Sequence, residues 1–193
     1  MTRALYMGPW RVDLTVRDRV ARPVAATTLA RAVVAGLAAA GAPSPASIGL
    51  ILSDDAELAE LNAAHLGKPG PTDVLSFPFL PPDAFPVHLG SLDGGAAHGP
   101  AGAEPSPPFV LPPGRRLHLG DIIVSVERAM EQAEAGRGGQ TGDLRWSPAD
   151  ELRLLVTHGA LHVCGWDHAE PVEEAAMRAL EARLLGSRLD QPR

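Results

Sequence analysis

The run His158-Gly159-Ala160-Leu161-His162-Val163-Cys164-Gly165-Trp166-Asp167-His168 constrains this chain more than any other stretch. His158 and His162 stand four apart, so on a helix both imidazoles leave one face. Gly165 suits the left-handed residue that ends a helix, after which the chain can turn back and bring His168 to the same point. Zinc takes imidazole nitrogens at about 2.0–2.1 Å, and a one-turn histidine pair meets that distance without bending the backbone. The fold must therefore contain a rigid, well-buried helix ending near Gly165, with a reversing turn behind it. The expected cofactor is one Zn2+ on His158, His162 and His168, its fourth position left to water as in a catalytic site. Cys164, in the last turn, reads as a small core residue rather than a ligand.

The residues upstream supply that helix. Ser147-Pro148-Ala149-Asp150 is a start signal, with Ser147 as cap, Pro148 in the first helical position and Asp150 closing a capping box. Leu152, Leu155, Val156 and Ala160 then give it a wide apolar face. A last helix follows from Pro171 to Leu185, with Val172, Ala176, Leu180 and Leu184 expected inside. Nearer the N-terminus, Val12, Leu14 and Val16 alternate with polar residues as in a half-buried strand. Val24 to Ala40 has Leu29, Val33 and Leu37 at helical spacing, and Ile48, Leu50 and Leu52 form a second strand. Asp54 and Glu57 form the capping box of a helix ending near Gly67. Val74–Phe77 and Leu119–Ser125 supply two more strands, and Val126–Ala135 another helix. The expectation is an α+β fold, a mixed sheet of about four strands with packed helices and a zincin-like three-histidine metal site.

Composition bounds the function. The 193 residues suit a single domain over residues 1–193, with the Pro/Gly-rich stretch 81–116 as an inserted loop. A net charge of −6 excludes a protein that coats nucleic acid by bulk electrostatics. Lys68 is the only lysine, so positive charge is almost all arginine, whose fork suits phosphate. One cysteine excludes an internal disulfide and fits a reducing compartment, and no apolar run approaches membrane-spanning length. The expected location is cytoplasmic, with no membrane partner.

The histidine spacing also occurs in the metzincin peptidases, where a Glu after the first histidine activates water. Here that place is Gly159, which has no side chain. Residues His158 to His168 instead resemble the signature of the YbeY family of bacterial rRNA-maturation endoribonucleases. Val163 and Trp166 stand for the usual Leu and Tyr. The resemblance extends through Gly67-Lys68, Pro71 to Pro78 and Leu119 to Ser125, and downstream to Met177, Glu181 and Leu184. It implies a zinc-dependent, single-strand-selective endoribonuclease in 3′-end maturation of small-subunit ribosomal RNA and in ribosome quality control. Single-stranded RNA and the small ribosomal subunit are the implied partners, and His158, His162 and His168 the implied zinc ligands. One departure stands out: many members have an arginine just before the Gly-Lys pair, and this chain has Leu66.

Candidates for the rest of the chemistry are few. Lys68, Arg115 or Arg116 can replace the missing guanidinium, and Asp167 can orient a histidine or cap the turn. Lys68 and Asp167 are therefore the two catalytic candidates. Asp73 and Asp121 can reach the site from strand ends or serve the backbone. Ser76 and Thr72 read as local structure, and His65 as a helix-end residue. His88, His98 and His118 are expected in solvent, and Trp166 either stacks on a base or anchors the turn. Arg11 and Arg17 either track phosphate or guard a sheet edge. The alternatives to a ribonuclease are a zinc peptidase or amidase, and a non-catalytic ribosome-associated factor with structural zinc.

Overall fold

The computed structural model describes residues 2–88, 116–136 and 146–186. The centre of the inserted loop, with His98 and Arg115, lies outside these residues, as does 137–145 of the loose segment before Trp146.

The described residues form a five-stranded mixed sheet and five α-helices. The strands are β1 (Thr2–Met7), β2 (Trp10–Val16), β3 (Ala46–Ser53), β4 (Val74–Pro78) and β5 (Leu117–Ser125). They lie in the order β1-β2-β3-β5-β4. β2, β3 and β5 run parallel, while β1 and β4 flank them antiparallel. The α-helices are α1 (Ala26–Ala39), α2 (Asp55–Leu66), α3 (Val126–Glu134), α4 (Pro148–Val163) and α5 (Pro171–Leu185).

The expected count of about four strands falls one short, because β1 gives no period. Its burial runs exposed throughout except for Leu5 and the partly buried Met7. It is held by a two-residue hairpin turn to β2, where Gly8 takes φ 60°, the left-handed region glycine favours. β2 shows the clean alternation expected of it, with Trp10, Val12, Leu14 and Val16 inward.

Most of the core lies on one face of the sheet. Leu29, Val33 and Leu37 of α1, Leu152, Leu155, Val156 and Ala160 of α4, and Met177 and Leu180 of α5 pack there against Val12, Ile48, Leu50 and Ile122. The other face has a much smaller cluster, Leu58 of α2 on Leu75 and Ile123. α4 is thus the central helix, touching α1, α3, α5, β4 and β5.

Two local expectations need correction. Asp54 does cap α2, accepting from the Glu57 N–H, but Glu57 does not reach back to close the box. Its carboxylate goes to the Arg17 guanidinium (2.8 Å) and the Ser53 hydroxyl instead. In α5, Val172 is exposed and the inner stripe is Glu173, Met177, Leu180 and Glu181. Carboxylates on the buried stripe defeat a reading made from apolar period alone.

Candidate metal centre

The start signal of α4 holds in full: Ser147 caps, Pro148 is in the first turn, and Ser147 and Asp150 exchange reciprocal hydrogen bonds. The helix is fixed at its far end by Gly165, which takes φ 81°. There the Gly165 N–H bonds the His162 carbonyl and the Trp166 N–H bonds that of Leu161. This reversal brings His168 back over the helix. Ring centroids of His158 and His162 are 4.5 Å apart, those of His162 and His168 5.0 Å, and those of His158 and His168 5.4 Å. The three offer one ligand atom each, all within 4.8 Å of one another, a group that could hold a metal ion.

The hydrogen bonds around the rings explain the tautomers. Nδ1 of His158 lies 2.7 Å from Oε1 of Glu181, a carboxylate that can only accept, so the ring proton sits on Nδ1. In the neutral ring that leaves Nε2 as a lone pair. It faces Nε2 of His162 at 3.0 Å, and His162 donates to the Trp166 backbone carbonyl. With one proton between them this contact is a hydrogen bond, and with none the two nitrogens face a common point that a cation can occupy. Four ligands at about 2.05 Å in a tetrahedron stand roughly 3.3 Å apart, close to this spacing. The donor set fits zinc: three imidazoles, with a carboxylate behind one of them. Burial, reinforced by His158 and His168, pushes His162 down to about 4, so it is neutral at pH 7 as a ligand must be. Burial pushes Cys164 up to about 12, which keeps it a core thiol.

Glu181 is the site residue that chemical reasoning from sequence missed. The available signal was its place on one stripe with Glu173 and Met177, four residues apart each, on a helix that must pack against α4. Gly159 has a role beyond lacking a carboxylate. A Cβ there would lie 2.7 Å from Ile122 Cγ2 and 3.1 Å from the Ser76 hydroxyl. That hydroxyl donates to the Gly159 carbonyl at 3.1 Å, so the backbone between the first two histidines is seated directly on β4 and β5.

Other candidates are placed elsewhere. Asp167 is exposed and accepts from the His168 N–H at 2.7 Å, so it caps the turn, and Glu181 rather than Asp167 touches a histidine ring. Lys68 is exposed beyond the left-handed Gly67 that ends α2. Among the described residues no hydrogen bond or ion pair joins it to the histidines. Leu66 is 56% exposed. Asp73 accepts from Val74 N–H, Thr72 and Gln132, and Asp121 pairs with His118 at 3.1 Å. His65 lies edge-on to Phe77.

Two histidines expected in solvent are engaged. His88 stacks on Trp166 at 4.0 Å between centroids with the rings 4° from parallel, so Trp166 anchors the turn. His118 bridges Ser47 and Asp121. Arg11 and Arg17 are held by Asp13 and Glu57, and β2 is an interior strand, so neither guards an edge.

The fold and cluster together define an α+β protein whose central helix and following turn present three histidines able to share one metal ion. The family model for Endoribonuclease YbeY matches residues 16–188. The chain is 44% identical over 148 residues to Endoribonuclease YbeY of Salinispora tropica, covering 74% of each. It is 34% identical over 177 residues to Endoribonuclease YbeY of Roseiflexus castenholzii, covering 91% of each. The chain belongs to the endoribonuclease YbeY family, and so to a family of enzymes.

Proposed function

We propose that this chain is a cytoplasmic, zinc-dependent endoribonuclease, selective for single strands. Its proposed place is 3′-end maturation of small-subunit ribosomal RNA and ribosome quality control, as one domain with residues 81–116 inserted. His158, His162 and His168 are the proposed zinc ligands. The observation that carries the reading is three histidines whose ligand atoms all lie within 4.8 Å of one another, with His158 fixed from behind by Glu181. Family membership supports RNA as the substrate.

Bound zinc would supply an acidified water near neutral pH and a Lewis acid for a phosphoryl oxygen. The chain's own residues do the positioning. Glu181 fixes the His158 tautomer and ring plane, the Trp166 carbonyl does so for His162, and the Asp167 cap holds the turn that delivers His168. Gly159 locks the helix to the sheet so that the first two rings keep their separation.

A peptidase or amidase is disfavoured because the position of the usual carboxylate base faces the sheet with no room for a side chain. One observation favours the non-catalytic reading, a ribosome-associated factor with structural zinc: exposed Leu66 stands where a guanidinium is expected. The test is metal analysis joined to cleavage of a single-stranded RNA by wild type and His158→Ala. The variant is expected to lose stoichiometric zinc and to cleave at least a hundredfold more slowly. Equal cleavage by zinc-free protein, with contaminating nuclease excluded, overturns the reading. Intact zinc and binding to small subunits without any cleavage selects the non-catalytic one.

A further inference from the structure

The sheet face opposite the main core is covered by α2 only over the row Ile51, Ile123 and Leu75. The next rows stay open. Tyr6, Arg11, Ser47 and His118 are successive cross-strand partners across β1, β2, β3 and β5, so their side chains share that face. His118 and Asp121 both point outward because β5 carries a bulge opposite Ser47–Gly49. The Tyr6 ring is 64% exposed, with the guanidinium carbons of Arg11 and Arg116 at 6.0 and 5.8 Å from its centroid. At the other end Phe79, 59% exposed, sets its ring edge-to-face on His118 at 5.2 Å. The two exposed aromatic rings stand on one sheet face, on strands four spacings or about 19 Å apart.

The geometry points to this face as a stacking platform for single-stranded RNA, with bases on Tyr6 and Phe79 and a phosphate on Arg116. The platform rests on the endoribonuclease reading and extends it to how substrate is held. Planar bases are favoured over an acidic or apolar protein partner by the guanidiniums flanking Tyr6, which extend a stacking surface and attract phosphate. Charge is nearly balanced here: Asp13 is held by Arg11 and Asp121 by His118, while Arg116 has no ion pair among the described residues. Stacking therefore dominates, and the salt dependence must be shallow. At a slope of about −0.7 per phosphate contact on a single strand, Arg116 alone gives a log–log slope of about −0.7. Ser76 of β4 faces Gly159 on the other side of the sheet, and β4 is the edge strand, so an RNA strand on this platform reaches the histidines by passing round the β4 edge.

Tyr6 is the only tyrosine, so full-length chain carrying 3-fluorotyrosine gives one 19F resonance. Metal-free protein is titrated with an unstructured 12-nucleotide RNA, following that resonance and fluorescence anisotropy together. The platform requires the resonance to shift with the anisotropy isotherm. Phe79→Ala and Tyr6→Ala should each weaken binding about tenfold, Tyr6→Phe should bind as wild type, and Arg116→Ala should flatten the salt slope. RNA bound without any movement of the resonance, or unchanged affinity in both alanine variants, overturns it. A resonance moved by small-subunit proteins but not by RNA also overturns it, in favour of protein docking. Cleavage by the zinc-loaded protein is read separately: cleavage with an unmoved resonance removes the platform alone, whereas absent cleavage and binding removes the endoribonuclease reading with it.

Discussion

The proposed metal centre depends on single atoms held from behind. The Glu181 carboxylate fixes His158 through a 2.7 Å contact and is itself 8% exposed, so replacing it leaves Nδ1 facing a low-dielectric space. Glu181→Ala is expected to weaken zinc binding about 10–100-fold, read by competition with a chromogenic chelator, with Glu181→Gln closer to wild type. His162 gives a pH signature in the metal-free protein. Its folded pKa of about 4 lies below the ordinary histidine value of 6.5, so between those values the unfolded chain takes up more protons than the folded one. This contribution to stability is full above pH 6.5 and is lost as the pH falls toward 4. Urea midpoints measured over that window should fall more steeply for wild type than for His162→Gln, and parallel slopes would refute the assignment.

At the scale of elements, α4 was legible because every part of it obeys a local rule: a capping box, a proline in the first turn, an apolar stripe and a glycine stop. The same rules brought the three histidines together on paper. They missed β1, where a single buried side chain leaves no alternation to read, and in α5 they placed Leu180 and Leu184 inward correctly but not Val172, because the carboxylates Glu173 and Glu181 share the buried stripe. Glu57 left its expected capping bond because Arg17, forty residues away in sequence, offers a charged partner. These are long-range effects that no window of a few residues contains. Gly159 joins the two scales. Gly159→Ala should destabilise by about 1–3 kcal/mol in chemical denaturation, since its methyl would meet Ile122 at 2.7 Å. An unchanged denaturation midpoint would mean that α4 is not seated as described.

For the molecule as a whole, the two sides of the sheet are unequal. α1, α4 and α5 share one large cluster with the strands, whereas α2 rests on three buried apolar residues, Leu58, Leu75 and Ile123. Hydrogen exchange should therefore divide the helices: amides in the middle of α1 and α4 exchange only through global unfolding, and those of α2 through a cheaper local opening. Uniform protection of all three helices would contradict this. One side of the sheet is in effect welded, and the other is latched at a single corner. A chain built so can loosen that corner, change what touches its open face, and close again while the imidazoles on the far side keep their spacing.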